Sequence, residues 1–122
     1  MKDNPTGLTL VPHAVNIERR DNGNLLMTSR TPFDPVVPNT GVWLDKWAEE
    51  TPSRIFLAER SGAGWREMGY GEVRDVVRAI ASSLAARGLN STTPIVIMSG
   101  NGIDHALLSL AAQYAGIPTV PL

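Results

Sequence analysis

The sequence contains no cysteine. Disulfides are therefore excluded, as are thiolate metal centres of the zinc-ribbon kind. The same absence fits a reducing cytoplasm. Lysine is scarce: Lys2 and Lys46 stand against nine arginines, and the formal net charge is -1. No basic stripe is available to follow a nucleic-acid backbone. Long apolar runs are missing too. The opening MKDNPTGLTLVPHAV has no signal-like apolar stretch, and no run approaches the roughly 20 residues that span a bilayer. His13 and His105 are far apart and have no cysteine or helical partner histidine, so a metal site has no support. The reading is a soluble, cytoplasmic protein without nucleic-acid or membrane partners.

What is present is ordinary globular material, 43% hydrophobic and 19% charged over 122 residues, about one domain in length. Five of nine prolines fall before residue 40, at positions 5, 12, 32, 35 and 38. Among them, Ala14–Glu18 and Asn24–Thr28 flank Arg20-Asp21-Asn22-Gly23. Asn22-Gly23 is a hairpin signal, because both residues tolerate positive φ. Residues 1–40 are therefore expected to form a small β-hairpin annex and a proline-rich linker, TPFDPVVPNT. Proline there blocks both helix and interior strand.

From residue 41 to 122 the pattern predicts an α/β fold. Thr40 is placed to cap a helix running to Glu50, with Trp43, Leu44 and Trp47 on one face and Pro52 ending it. Glu49 and Glu50, near Lys46, read as its solvated side. Two strands, Ile55–Glu59 and Trp65–Met68, surround the turn Ser61-Gly62-Ala63-Gly64. A longer helix carries Val73, Val76, Val77, Ile80 and Leu84 at helical spacing, with Arg74, Asp75 and Arg78 facing away. Gly88 suits its C-terminal cap. Pro94–Met98 is an apolar run expected of a strand covered on both faces. A helix with Ile103, Ala106, Leu107, Leu110, Ala111 and Tyr114 on one stripe follows, closing near Gly116, and Ile117–Leu122 begins another strand. Strand, helix, strand predicts a parallel crossover unit.

The stretch IVIMSGNGIDHALL has the outline of a phosphate-cradling loop. A dinucleotide fingerprint needs a third glycine and an acid about 20 residues on. In Gly100-Asn101-Gly102-Ile103-Asp104-His105 the third glycine is replaced by histidine, and no acid follows Asp104. A P-loop fails because neither lysine follows a glycine. The loop is read as structural, with Gly100 turning the chain and Asn101 or Ser99 capping the helix. Asp104 and His105 are adjacent on a helix and so do not face each other. Asp104 instead suits the first turn, against the positive end of the dipole. No Gly-x-Ser-x-Gly elbow marks a serine nucleophile. Trp43 and Trp47 form an aromatic platform or, more commonly for such spacing, pack in a core.

Taken in order, LDKWAEETPSRIFLAER, WREMGYGEVRDVVRAIASSLAARGL and PIVIMSGNGIDHALLSLAAQYAGIPTVPL resemble the start of AMP-forming acyl-CoA synthetases, the adenylate-forming superfamily. With the annex AVNIERRDNGNLLMTSRTPF and the SGNGIDHALL block, the resemblance is closest to feruloyl-CoA synthetase. It implies an enzyme that adenylates a hydroxycinnamic acid with ATP and Mg2+, then passes the acyl group to coenzyme A. It also implies that Tyr70, Glu72, Asn101 and Gly116 are framework positions that turn and cap early elements. The family's catalytic motifs are absent from these residues, so no catalytic, cofactor-binding or metal-binding residue is assigned. The chain is expected to be an N-terminal portion, inactive alone and binding no cofactor. Its expected partner is the remainder of its own chain, with self-association possible through an uncovered sheet surface. A stand-alone interaction module of the same fold and a small nucleotide-binding protein are the alternatives.

Overall fold

The computed structural model describes residues 14–33 and 35–122, divided between two compact units, Met1–Val36 and Val37–Leu122. His13 lies outside the described residues.

In the first unit the expected hairpin is present, formed by β1 (Val15–Arg19) and β2 (Leu25–Ser29). They pair antiparallel with Ile17 opposite Met27 and Arg19 opposite Leu25. The turn differs from the expected one. Gly23 has φ +82° while Asn22 keeps a negative φ. Arg20 and Asn24 pair instead, and Gly23 N–H donates to the Arg20 carbonyl at 2.9 Å. This is a three-residue loop, a type I turn completed by a left-handed glycine. The Asn22 side chain contributes by accepting the Asn24 N–H at 3.0 Å. Strand alternation gathers Val15, Ile17, Leu25 and Met27 on one face, yet every residue of both strands is exposed. Residues 31–33 and 35–40 carry no helix or strand.

The second unit begins with α1 (Gly41–Glu50), followed by the antiparallel hairpin β3 (Ile55–Ser61) and β4 (Gly64–Gly69). The long helix α2 (Tyr70–Ala86) leads to β5 (Ile95–Ile97), α3 (Ile103–Tyr114) and β6 (Thr119–Pro121). As the strand–helix–strand pattern predicts, β5 and β6 pair in parallel, Ile95 opposite Thr119. Proline at 121 is tolerated because the next residue, Leu122, supplies the N–H to the Ile97 carbonyl at 3.1 Å.

Local chemistry explains where α2 and α3 stop. Gly88 and Gly116 take φ +80° and +71°. Gly88 N–H donates to Ala85 and Leu89 N–H to Leu84; Gly116 N–H donates to Gln113 and Ile117 N–H to Ala112. Both endings are Schellman motifs, in which a left-handed residue turns two orphan carbonyls back into partners. Ile117, 2% exposed, adds an apolar plug to the second.

The core lies where α1, α2, α3 and the β3–β4 hairpin meet. Leu44, Met68, Val73, Val77, Ala81, Ile103, Leu107 and Ala111 form it. In α1 the buried stripe is Gly41, Leu44 and Ala48, which corrects the expectation for that helix. Trp43 and Trp47 flank the stripe and stay 52% and 37% exposed. With Leu44 they line a pocket beside Phe56 and Tyr70. Thr40 also departs from expectation: its hydroxyl donates to Gln113 Oε1 at 3.4 Å and makes no side-chain cap bond. Lys46 lies over the Trp47 ring, 5.1 Å from its centre.

The β5–β6 pair is covered on one face, not two. Ile97 is buried, whereas Val96 is 57% exposed and Met98 82%. With Val120 and Leu122, which share their side of the pair, they form an uncovered apolar face.

Candidate functional site

The glycine loop between β5 and α3 is the place to look for an anion site, because a helix N-terminus presents free N–H groups and a positive dipole. The tertiary structure fills it from within. The β3–β4 register sets Glu59 directly opposite Arg66. Glu59 Oε2 accepts the Ile103 N–H at 2.7 Å, at the first residue of α3. Arg66 then holds the arrangement, donating to Glu59 Oε1 at 2.9 Å and to Asp104 Oδ1 at 3.0 Å. Its guanidinium pKa is raised by the bond to Asp104 and then by that to Glu59. Two carboxylates therefore serve one helix end, one as cap and one in the first turn.

This arrangement corrects the assignment of the loop residues. Neither Ser99 nor Asn101 caps α3. Ser99 Oγ instead lies 2.9 Å from His105 Nδ1, and Asn101 is exposed. Nor does Gly100 adopt a left-handed conformation. Gly102 is the glycine that matters: a Cβ there would come within 2.6 Å of Glu59 Oε2. Glycine at 102 is what admits the capping carboxylate. Asp104 occupies the first turn as expected, and it does not engage His105, whose partner is Ser99. A cleft of about 290 Å³ beside the loop is lined by Glu59, Asn101, Gly102 and His105 together with Leu57 and Ile103.

The N-terminus of α2 is closed in a similar way. Tyr70 N–H donates to the Arg54 carbonyl at 3.1 Å and Gly71 N–H to the Pro52 carbonyl at 3.0 Å. Glu72 stands in the first turn. Tyr70 also stacks on Phe56, ring centres 4.4 Å apart, so its place is architectural.

A second polar cluster ties the three helices. Arg78 does not simply face solvent, as the helical pattern suggests. It donates to Asp45 Oδ1 at 2.9 Å and to the Tyr114 hydroxyl at 3.2 Å. Tyr114 in turn donates to Asp45 Oδ2 at 3.0 Å. The Tyr114 bond, then the Asp45 bond, raises the Arg78 pKa. Each residue comes from a different helix, so the cluster fixes the helix arrangement.

A phosphate approaching Ile103 would meet the Glu59 carboxylate, and one approaching Tyr70 would meet two carbonyl oxygens. At these two positions, the first residues of α3 and α2, the chain opposes an anion. Among the described residues, no three Cys, His, Asp or Glu side chains gather to hold a metal ion, and no helix is long and apolar enough to cross a membrane.

A family model described as AMP-binding enzyme matches residues 44–122. The fold resembles that of fatty acyl-adenylate ligase from L. pneumophila, solved with acyl adenylate and pyrophosphate. The TM-score is 0.65 at 20% identity, covering 69% of this chain and 15% of that one. It also resembles CmiS6, at TM-score 0.61 and 26% identity over 73% of this chain and 22% of that one. The luciferase-like enzyme from the nonluminescent mealworm Zophobas morio gives TM-score 0.60 and 25% identity, over 76% and 21%. The chain thus spans between 15% and 22% of the length of these structures. No curated protein matches it.

Proposed function

The chain belongs to the AMP-binding enzyme family, and we propose that it is the N-terminal part of an acid–CoA ligase of the feruloyl-CoA synthetase kind. In this reading residues 1–40 are an annex and linker, and residues 41–122 open the adenylation domain. The complete enzyme adenylates a hydroxycinnamic acid with ATP and Mg2+ in the cytoplasm and transfers the acyl group to coenzyme A. The observation that carries the reading is the ordered match of residues 44–122 to the family. The aromatic-acid assignment rests on the joint resemblance of the annex and the SGNGIDHALL block.

Within that enzyme these residues are scaffold. The loop that resembles a phosphate cradle is closed by Glu59, which favours this reading over a small nucleotide-binding protein. ATP, Mg2+ and coenzyme A are assigned to chain beyond these residues, and no step of the reaction is placed here. The outer face of β5–β6, with Val96, Met98, Val120 and Leu122 exposed, is read as a surface that the rest of the domain covers. Left bare, it favours self-association of the 122-residue chain.

Two experiments test the reading. The complete reading frame should release pyrophosphate with ferulate or coumarate in preference to benzoate or a medium-chain fatty acid. Preference for the fatty acid would leave family membership intact and remove the hydroxycinnamate assignment. The 122-residue chain itself should give no saturable heat with Mg-ATP in titration calorimetry. A micromolar dissociation constant would overturn the scaffold reading.

A further inference from the structure

The dipeptide Asn-Gly occurs twice, as Asn22-Gly23 in the β1–β2 turn and as Asn101-Gly102 ahead of α3. An asparagine amide is open to attack by the next backbone nitrogen when glycine follows, because no Cβ shields that nitrogen. The fold holds the two copies differently. At Asn22 both reacting groups are engaged: Gly23 N–H donates to the Arg20 carbonyl at 2.9 Å, and Asn22 Oδ1 accepts the Asn24 N–H at 3.0 Å. At Asn101 neither is. Among the described residues, no acceptor engages the N–H groups of Gly100, Asn101 or Gly102, and the exposed Asn101 amide has no partner. Gly100 faces open space, and the cleft of about 290 Å³ beside Asn101 and Gly102 admits water.

From this contrast we propose that Asn101 is a site of spontaneous deamidation, and that its isoaspartyl product unseats the cap of α3. The reaction is intramolecular, so it calls for no partner and no enzyme. Gly102 N attacks Asn101 Cγ; the N–Cγ bond forms, the Cγ–Nδ2 bond breaks, and ammonia leaves with the proton from Gly102 N. The product is a succinimide, which water then opens. Hydrolysis at Cγ gives aspartate on the original backbone. Hydrolysis at the main-chain carbonyl carbon of residue 101 gives isoaspartate, with one methylene added to the main chain. That methylene falls just ahead of Gly102, where Glu59 Oε2 passes within 2.6 Å of the place a Cβ would take. Lengthening the backbone there moves the Ile103 N–H away from the carboxylate that caps it.

The test incubates the 122-residue protein in mildly alkaline buffer and follows each asparagine by tandem mass spectrometry. Asn101 should gain the mass of an amide-to-acid exchange several-fold faster than Asn22. In guanidinium chloride, where neither loop is held, the two sites should convert at similar rates. Asn101→Gln, an exposed change whose side chain is too long for the succinimide ring, should abolish the gain at 101 and leave Asn22 unaltered. The isoaspartyl form, separated by ion-exchange chromatography, should show faster hydrogen exchange in the first turn of α3 than the parent. An intact Asn101 in the native protein overturns the inference, as does native conversion of Asn22 at an equal rate or a rate difference that survives denaturation. Unchanged exchange in the first turn of the isoaspartyl form overturns the effect on the cap.

Discussion

The two antiparallel hairpins of this chain have similar turn chemistry and opposite fates. In β1–β2, Gly23 takes φ +82°, and in β3–β4, Gly62 takes φ +59°; both turns are local and both hairpins form. In β1–β2 no residue is buried. In β3–β4, Met68 is 6% exposed and sits in the helical core, and Glu59 reaches 44 residues along the sequence to cap α3. A hairpin is marginal until a face is covered. The turn decides that the strands meet, and a packed face decides whether the element contributes to global stability.

Substitutions that separate local from global contributions should break this comparison in order of size. Leu107→Ala removes a side chain 5% exposed at the centre of the core, and should cost about 3 kcal/mol in urea unfolding. The corresponding change in the annex, Ile17→Ala, at 61% exposure, should shift the same transition by less than about 0.5 kcal/mol. An equal loss at both sites would mean that the annex is packed as firmly as the core.

Gly41→Ala drives a methyl group against the Tyr114 ring, and the Asp45 and Arg78 bonds hold that ring in place. A loss of about 2 kcal/mol is expected from overpacking. Pairing the substitution with Tyr114→Ala should reduce its incremental cost. Strict additivity would show that the clash is relieved elsewhere.

Glu59→Ala should cost about 1 kcal/mol, the usual value of a helix N-cap. Glu59→Gln, which retains an acceptor for the Ile103 N–H, should recover part of it. Hydrogen exchange at the first turn of α3 should accelerate in the alanine variant. Unchanged protection there would remove the capping role. The smallest global effect belongs to Gly23→Ala. Forcing an alanine to φ +82° costs about 1 kcal/mol locally, so β1–β2 pairing signals should weaken in NMR while the urea midpoint of the helical unit stays in place.

Much of the second unit was legible because its signals are local. Valine and isoleucine spacing marked α2, the apolar run marked β5, and Gly88 and Gly116 marked helix ends that the chain closes within five residues. The hairpin turn was legible as a site and mistaken in type. The loop length, and not the Asn-Gly pair alone, selects which residue takes positive φ. The tryptophans of α1 share a face with Leu44, as their spacing suggests, but they line a pocket beside Phe56 and Tyr70 and stay 52% and 37% exposed, a degree of burial that spacing along one helix does not record.

The sequence by itself determined the order of the elements, the stops of α2 and α3, and the absence of lysine from the glycine loop. Each depends on residues within a turn or two of one another, where backbone sterics and hydrogen bonding act directly. The tertiary structure alone decided that the N-terminus of α3 is closed. That outcome needs Glu59, Arg66, Gly102 and Asp104 in one place, brought there by strand register and helix packing. No pattern along the chain records a carboxylate meeting an N–H group 44 residues away.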